Sequence, residues 1–184
     1  MTAVARGHRG TGAQVEAGAE AQRHGGTDRT RPRRLALVAS KGSLDGAYPP
    51  LILAATAASL GWEVGIFFTF YGLDIIHKRR HKKLKVAPLG NPAMPVPMPN
   101  LLGALPGMTA AATSMMKGWM KKARLPDVPE FLDIARESGA KLFACSTTMG
   151  VMGVEEQDLV AGVDIAGATA FLDFAADADV SLFV

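Results

Sequence analysis

Cys145 is the residue of this 184-residue chain best suited to covalent chemistry, because it is the only cysteine. It follows a short apolar run, residues 140–144, and precedes the small polar residues Ser146 and Thr147. In α/β domains, ligand-binding and reactive side chains lie at such positions, beyond the carboxyl end of a strand. A lone thiol cannot close an intramolecular disulfide, which leaves four roles open: nucleophile, sulfur carrier, soft metal ligand or packing residue.

Hydrolytic and metal chemistry lack the partner residues that they require. A cysteine hydrolase needs a histidine beside the thiol, and only His77 and His81 lie inside the predicted domain. Both occupy a basic segment, where we expect solvated side chains. The chain contains neither HExxH nor CxxC spacing and no phosphate-binding glycine motif, so we predict no metal site and no cofactor.

Short apolar runs, several of them rich in β-branched and aromatic residues, predict five buried strands. The runs lie at residues 35–39, 62–70, 140–144, 163–166 and 180–184. Because helical segments separate most of them, the expected fold is α/β, with an open, largely parallel sheet and helices on both faces. The loops after the first three strands should then meet at one edge of the sheet.

Helix signals connect these strands. A helix capped by Asp45, with Pro49 and Pro50 in its first turn, is predicted to end at Gly61. A second helix is predicted to begin after Asp127, because a glutamate follows three residues later as in a capping box. Shorter or later helices are predicted near residues 73–76, 155–160 and 167–178.

The loops that face Cys145 are predicted to form a cleft around it. The turn after the first strand offers a small nest of backbone N–H groups and one ammonium group to an anion. The loop after the second strand adds an aromatic side chain, and the predicted loop of residues 145–153 adds hydroxyls and a methionine. The predicted cleft residues are Ser40, Lys41, Gly42, Tyr71, Ser146, Thr147 and Met149.

The net charge of +3 is concentrated in the first 34 residues. They hold seven arginines against Glu16, Glu20 and Asp28, whereas the remainder of the chain carries slightly more acids than bases. With almost no large apolar residue, the tail of residues 1–34 should be disordered, and residues 35–184 should form one domain. Because the excess charge belongs to the tail, composition argues against nucleic-acid binding.

A Pro/Met-rich insertion, residues 85–126, interrupts the α/β pattern after the second strand. Six bases without an acid lie in residues 78–85, and residues 101–120 are apolar apart from one lysine. Residues 78–120 therefore form a candidate surface for oligomer contacts or for an anionic membrane surface. We predict no transmembrane helix, because the break at Gly61 divides the longest apolar stretch into pieces too short to span a bilayer.

Four segments carry a family resemblance: residues 35–46, residues 85–92 (KVAPLGNP), residues 99–108 (PNLLGALPGM) and residues 144–153 around the thiol. They resemble the DsrE/DsrF-like family, and specifically its longer branch, whose members are often labelled DsrE-like sulfur carriers or peroxiredoxin family proteins. The resemblance extends over residues 35–184. It implies a flavodoxin-like subunit that assembles into homo-oligomers and carries sulfur as a persulfide on Cys145.

Two functions follow from these observations. The first is a sulfurtransferase-like carrier that accepts sulfur from a donor protein on Cys145 and passes it to the thiol of an acceptor protein. The second is a non-enzymatic oligomeric scaffold or peripheral membrane-docking module that uses residues 78–120. A peroxidase is disfavoured, because no arginine lies within eight residues of Cys145. Since the chain has no cysteine pair, we expect a cytoplasmic protein, membrane-associated if the docking surface is used.

Overall fold

Strands and helices alternate along the chain, and the computed structural model describes them over residues 31–87 and 107–184. Five parallel strands form one sheet in the order β4-β3-β2-β1-β5. Their bounds are β1 Arg34–Ala39, β2 Glu63–Phe68, β3 Lys141–Cys145, β4 Val163–Ala166 and β5 Val180–Phe183. Each predicted strand is present, and the predicted α/β fold is confirmed.

The helices lie on both faces of this sheet. Within the described residues they are α1 Leu44–Ser59, α2 Met108–Lys122, α3 Val128–Glu137, α4 Ser146–Met152 and α5 Ala168–Ala176. Short 3-10 helices cover Phe70–Ile75, His81–Lys83 and Glu156–Asp158. The sequence did not predict α2 or α4, and α4 occupies most of the stretch that was predicted to be a loop after Cys145.

The main core lies between the sheet and helices α1 and α3. Ser43 caps α1, because its hydroxyl accepts the N–H of Gly46 over 3.2 Å. The predicted cap, Asp45, is wrong: it lies in the first turn, since the helix begins at the residue after Ser43. Tyr48 of α1 meets Phe131 of α3 edge to face, with 5.8 Å between the ring centroids. This contact joins the two helices over the sheet.

Helix α5 covers the opposite face with a smaller, aromatic core. Phe171 stacks on Phe67 with 4.8 Å between the centroids and lies 6.0 Å from the ring of Phe143. Phe174 lies directly over Gly65, where the Cβ of any other residue would collide with the ring. Gly65 therefore provides the space that lets α5 approach β2 closely.

An ionic cluster joins the three central strands near their amino ends. Glu63 of β2 pairs with Arg34 of β1 over 2.8 Å and with Lys141 of β3 over 2.9 Å. Hydrogen bonds from Lys141, and then from Arg34, lower the pKa of Glu63 despite partial burial. The folded region thus begins at Arg34 or earlier, within the last residues that the sequence assigned to the tail.

Two predicted segments fall largely outside the described residues. These are the basic tail, apart from residues 31–34, and the central part of the Pro/Met-rich insertion, residues 88–106. Of the rest of the insertion, Ala87 donates its N–H to the carboxylate of Asp45 over 3.0 Å, and helix α2 follows Gly107. In the part of the chain that the structure describes, no helix is long and apolar enough to cross a membrane.

Candidate functional site

Cys145 is the last residue of β3 and directly precedes α4. It pairs in register with Ala166 of β4. Its side chain packs on the α5 side of the sheet with Ala36, Phe67 and Phe171, and only 7% of the residue is exposed. The thiol therefore lies at the edge where the parallel strands end, beside the aromatic core under α5.

Two threonine hydroxyls connect to the sulfur in series. The Oγ1 of Thr148 donates to the Sγ of Cys145 over 3.3 Å. The Oγ1 of Thr69 lies 3.0 Å from the Oγ1 of Thr148. A hydroxyl has one proton, and Thr148 uses it on the sulfur, so Thr69 is the donor in the second bond. The result is a directed chain of donors from Thr69 to Thr148 to Cys145.

This environment lowers the pKa of the Cys145 thiol below its ordinary value. Burial is the largest single influence and acts in the opposite direction, because a thiolate loses its hydration when buried. Hydrogen bonds outweigh it: Thr148 contributes its hydroxyl and its backbone N–H, Thr69 contributes its hydroxyl by way of Thr148, and Thr147 contributes its backbone N–H. A lower pKa enlarges the fraction of thiolate at neutral pH, and the thiolate is the nucleophilic form.

Close packing between two loops holds Thr69 in place. The N–H of Thr69 donates to the carbonyl of Ala39 over 3.0 Å, and the N–H of Gly72 donates to the carbonyl of Ser40 over 3.1 Å. Between them, Phe70 has a φ of 48°, which is rare for a bulky residue. A Cβ at Gly72 would collide with the carbonyl of Ala39, so the approach of the two loops requires glycine. The sharp turn after β2 thereby directs Thr69 toward Thr148.

The predicted cleft residues that follow Cys145 have different surroundings. Thr147 acts on the sulfur through its backbone N–H, while its side chain is exposed. Ser146 is exposed at the start of α4. Met149 is buried in the main core, on the α1 and α3 side of the sheet. Of these three predicted residues, the structure brings Thr147 to the thiol, and Met149 is a packing residue.

The predicted cleft residues of the other two loops contact each other. Gly42 lies so close to the backbone of Tyr71 that a Cβ there would collide with the Tyr71 carbonyl. Ser40 donates its N–H to the carbonyl of Val184 over 3.2 Å, at the end of β5. Lys41 and Tyr71 are exposed. Among the described residues, no hydrogen bond joins Ser40, Lys41 or Gly42 to Cys145, so these loops support the edge rather than the sulfur.

Sequence reasoning missed the two hydroxyls that matter most, those of Thr69 and Thr148. Thr69 was counted in the predicted second strand, and Thr148 in the predicted loop. Thr148 could have been identified only if α4 had been predicted, because a helix that begins after Cys145 brings the third following residue back to the same side as Cys145. Nothing in the local sequence pointed to Thr69, which lies 79 residues from Thr148 along the chain.

The prediction that His77 and His81 are solvated is wrong, since they are 3% and 7% exposed. His77 forms an antiparallel bridge with Leu159, and the N–H of Lys78 donates to the carbonyl of Asp158 over 2.8 Å. The Nδ1 of His81 donates to the carbonyl of His77 over 2.6 Å. The basic side chains next to them in the sequence point outward, while the two imidazole rings pack inward.

Over residues 31–87 and 107–184, no three His, Cys, Asp or Glu side chains gather as they would around a metal ion.

Exposed apolar side chains occur at the same edge of the sheet as the thiol. Phe70, which follows Thr69, is 58% exposed, and Val151, three residues after Thr148, is 76% exposed. Phe183, at the end of β5, is 74% exposed. Single exposed apolar residues are ordinary, but several at one edge indicate a surface for contact with another molecule.

Known proteins are similar to this chain over nearly all of the residues that the structure describes. The model of the DsrE/DsrF/DrsH-like family matches residues 31–183. The sulfur carrier protein DsrE2 of Allochromatium vinosum is 45% identical over 158 residues, which are 83% of this chain and 98% of that protein. The uncharacterized protein YrkE of Bacillus subtilis is 32% identical over 162 residues, which are 83% of this chain and 97% of that one.

The fold is also found among solved structures. The crystal structure of the ychN protein from E. coli aligns with a TM-score of 0.51 and 11% identity, covering 84% of this chain and all of that one. At that identity the likeness concerns the fold alone, and it agrees with the flavodoxin-like architecture predicted from the sequence. Together with the family match, it confirms the resemblance drawn from the residues: the chain belongs to the DsrE/DsrF/DrsH-like family.

Proposed function

We propose that this protein is a sulfur carrier that holds sulfane sulfur as a persulfide on Cys145. The observation that supports this most is a thiol at the sheet edge whose pKa is lowered by hydrogen bonds from Thr148 and Thr69. The name of the DsrE2 relative, a sulfur carrier protein, points to the same function.

Loading and delivery are two balanced displacements. The Cys145 thiolate attacks the outer sulfur of a donor persulfide, R–S–SH. A new S–S bond forms on Cys145, the S–S bond of the donor breaks, and R–S⁻ leaves as a thiolate. In delivery, the thiolate of an acceptor protein attacks the outer sulfur of Cys145–S–SH, and Cys145 leaves as a thiolate. No oxidant or reductant is consumed in either step.

The hydrogen bonds to the sulfur suit both displacements. They increase the thiolate fraction of Cys145, which accelerates loading. They also stabilise the same thiolate when it is the leaving group, and a thiol of lower pKa leaves faster. Thr148 therefore assists acceptance and release through one contact, with Thr69 donating to its hydroxyl.

The partners of this exchange must be other molecules. Cys145 is the only cysteine, so the persulfide cannot be resolved by a second thiol of the same chain. We propose donor and acceptor proteins that dock at the edge where Phe70, Tyr71 and Val151 are exposed. Burial of the thiol protects the persulfide from water and overoxidation until a partner docks.

Incubation with a persulfide donor, followed by intact-mass spectrometry, tests this proposal. We expect the wild-type chain to gain the mass of one sulfur atom, the Cys145→Ser variant to gain none, and a thiol acceptor to remove the added sulfur. A gain that persists in Cys145→Ser would refute carriage on this thiol. Sustained consumption of hydrogen peroxide with turnover would instead favour a peroxidase.

A second candidate function is an oligomeric scaffold or a peripheral membrane-docking module that uses residues 78–120. Helix α2 favours it, because Met115 and Trp119 are exposed on this helix beside Lys121 and Lys122. Apolar and basic residues side by side are typical of helices that lie on anionic membranes. The two functions are compatible, and the proposed location is cytoplasmic.

Light scattering and vesicle sedimentation separate these possibilities. A homo-oligomer would show a mass several times that of the chain. Membrane docking would show salt-sensitive binding to phosphatidylglycerol vesicles that survives Cys145→Ser but disappears when the bases of residues 78–85 are neutralised.

A further inference from the structure

Helix α2 is held to the main core by few contacts. Among the residues of α2, Thr113 alone is buried, and the helix reaches the core mainly through Met116 and Met120. Methionine side chains are flexible and fill irregular space, so they tolerate a change in what lies beneath them. Beneath α2, between it and the start of α3, lies a groove of about 620 Å³.

The floor of this groove is apolar. It is lined by Leu44 from α1, Met120 from α2, Leu125 from the α2–α3 connection and Val128 from α3. Leu44 and Val128 belong to the main core, so the floor is rigid on the sheet side. A groove of this volume with such a floor accommodates a small organic molecule.

One side of the groove carries positive charge. Lys117 and Lys121 lie one turn apart on α2, and Lys82 comes from the 3-10 helix opposite. None of the three lysines forms an ion pair with a residue that the structure describes. Asp127 and Glu130 also line the groove, at the start of α3, so the lysines outnumber the carboxylates by one. The carboxylate of Asp127 accepts the N–H of Glu130 over 3.0 Å. The groove thus pairs an apolar floor with available ammonium groups.

His81 adds a polar atom inside the groove. The residue is more than nine-tenths buried, and it lines the groove. Its Nδ1 donates to the carbonyl of His77, so Nε2 is the ring atom left for a ligand. Within residues 31–87 and 107–184, Nε2 has no hydrogen-bond partner, and it is not an enclosed atom, since Arg136 Nε is the one buried side-chain nitrogen or oxygen of these residues that lacks a partner. With the proton on Nδ1, Nε2 accepts hydrogen bonds, so a donor group of a ligand would satisfy it.

We propose that this groove binds a small amphipathic anion, with an alkyl or aryl body on the floor and a carboxylate, phosphate or sulfonate head at Lys117 and Lys121. The volume fits a molecule of this kind. The site is separate from the thiol, because the groove opens on the α1 and α3 side of the sheet whereas Cys145 packs on the α5 side. The proposal therefore does not depend on sulfur carriage.

Calorimetric titration of the full chain with decanoate, below its micelle concentration, tests the groove. We expect saturable binding of one decanoate per chain. Lys121→Glu should weaken binding about tenfold, since it replaces a cation at the head group by an anion. The matched control is Lys122→Glu, which makes the same charge change on the next residue, outside the groove, and should change the affinity less than about twofold.

A second variant tests the floor. Leu125 is only partly buried, so Leu125→Trp should fill the groove and abolish decanoate binding, while circular dichroism shows an intact fold. The proposal is overturned if decanoate does not saturate, if Lys121→Glu and Lys122→Glu weaken it equally, or if the chain binds phosphatidylglycerol vesicles but not decanoate. Cys145→Ser should bind decanoate normally, and Lys121→Glu should still accept sulfur, so failure of either proposal is distinguishable from failure of the other.

Discussion

The Thr148 hydroxyl reaches the Sγ of Cys145 over 3.3 Å across the junction of β3 and α4. The contact exists because α4 begins at the residue directly after Cys145, which turns the third following residue back over the sulfur. A longer connection between strand and helix would carry Thr148 away. Thr69 then meets Thr148 because β2 and β3 are neighbours whose carboxyl ends lie side by side.

Removing the Thr148 hydroxyl should make the thiol less acidic. In Thr148→Val the sulfur loses a donor while the backbone N–H contacts stay. We expect the pH midpoint of Cys145 alkylation by iodoacetamide to rise by about one unit, since a hydrogen bond to a charged group contributes about 1.5–3 kcal/mol. Sulfur loading at neutral pH should slow correspondingly.

Thr147→Val is the matched control for this change. Thr147 acts on the sulfur through its backbone N–H, which valine retains, and its side chain is exposed. The alkylation midpoint of this variant should equal that of the wild type. If both valine variants shift the midpoint alike, the hydroxyl of Thr148 is not the cause.

Gly72→Ala should destabilise the fold strongly. The added Cβ would collide with the backbone carbonyl of Ala39, which cannot move without separating the two loops. We expect a loss of about 2–4 kcal/mol in the free energy of unfolding, measured by urea denaturation. Gly118→Ala is the control: Gly118 lies in α2 with open space around it, and alanine should raise stability by up to about 1 kcal/mol. Similar losses in both variants would contradict the close approach.

The backbone strain from the positive φ of Phe70 should appear as a difference in unfolding free energy between Phe70→Gly and Tyr71→Gly. Phe70 and Tyr71 are both largely exposed, but only Phe70 of the two has a left-handed backbone. Phe70→Gly relieves strain and Tyr71→Gly does not, so the first should be more stable than the second by about 1–2 kcal/mol. Equal unfolding free energies would show that the turn carries no strain.

Burial of His77 predicts that acid weakens the fold. Burial, followed by the charge of Arg80, lowers the pKa of His77, and Asp158 opposes this. The unfolded chain therefore binds the proton more readily than the folded chain. The contribution of neutral, buried His77 to the free energy of unfolding is complete above the ordinary pKa of histidine. It is lost as the pH falls from that value through the lower pKa of the folded chain. The charged groups that act on the ring are Arg79, Arg80, Asp74 and Asp158.

Urea denaturation between about pH 7.5 and 5 measures this effect. The unfolding free energy of the wild type should decrease with falling pH, and His77→Gln, whose amide oxygen can accept the N–H of Arg79 as the imidazole does, should show a shallower decrease. An identical slope in wild type and variant would mean that other groups cause the acid sensitivity.

The strands were predictable because a parallel strand buried on both faces needs a continuous apolar run. The run at residues 35–39 became β1, which starts one residue earlier, and the run at residues 140–144 became β3, which is shifted by one residue at both ends. Such shifts arise because hydrogen bonding to the neighbouring strand, which the local sequence does not specify, decides where a strand begins and ends.

The helices α2 and α4 were not predictable in the same way. Helix α4 spans only seven residues and contains two threonines and a glycine, which are poor helix formers. Helix α2 carries exposed and partly buried methionines without a clear apolar stripe. Helix α4 is stabilised by its contacts with β3 and with the 3-10 helix Phe70–Ile75 rather than by local propensity. His77 illustrates the same limit, because its basic neighbours in sequence did not reveal that residues 158–160 pair with the backbone around it.

The sequence by itself determined that one thiol, Cys145, stands at the end of a buried strand, within a chain that resembles the DsrE/DsrF-like family. Only the tertiary structure decided which groups act on that thiol. Thr69 and Thr148 are 79 residues apart, and they meet because parallel strands align their carboxyl ends whatever the length of chain between them. The identity of the nucleophile is a matter of composition and local pattern, whereas its acidity depends on donors that long-range pairing brings together.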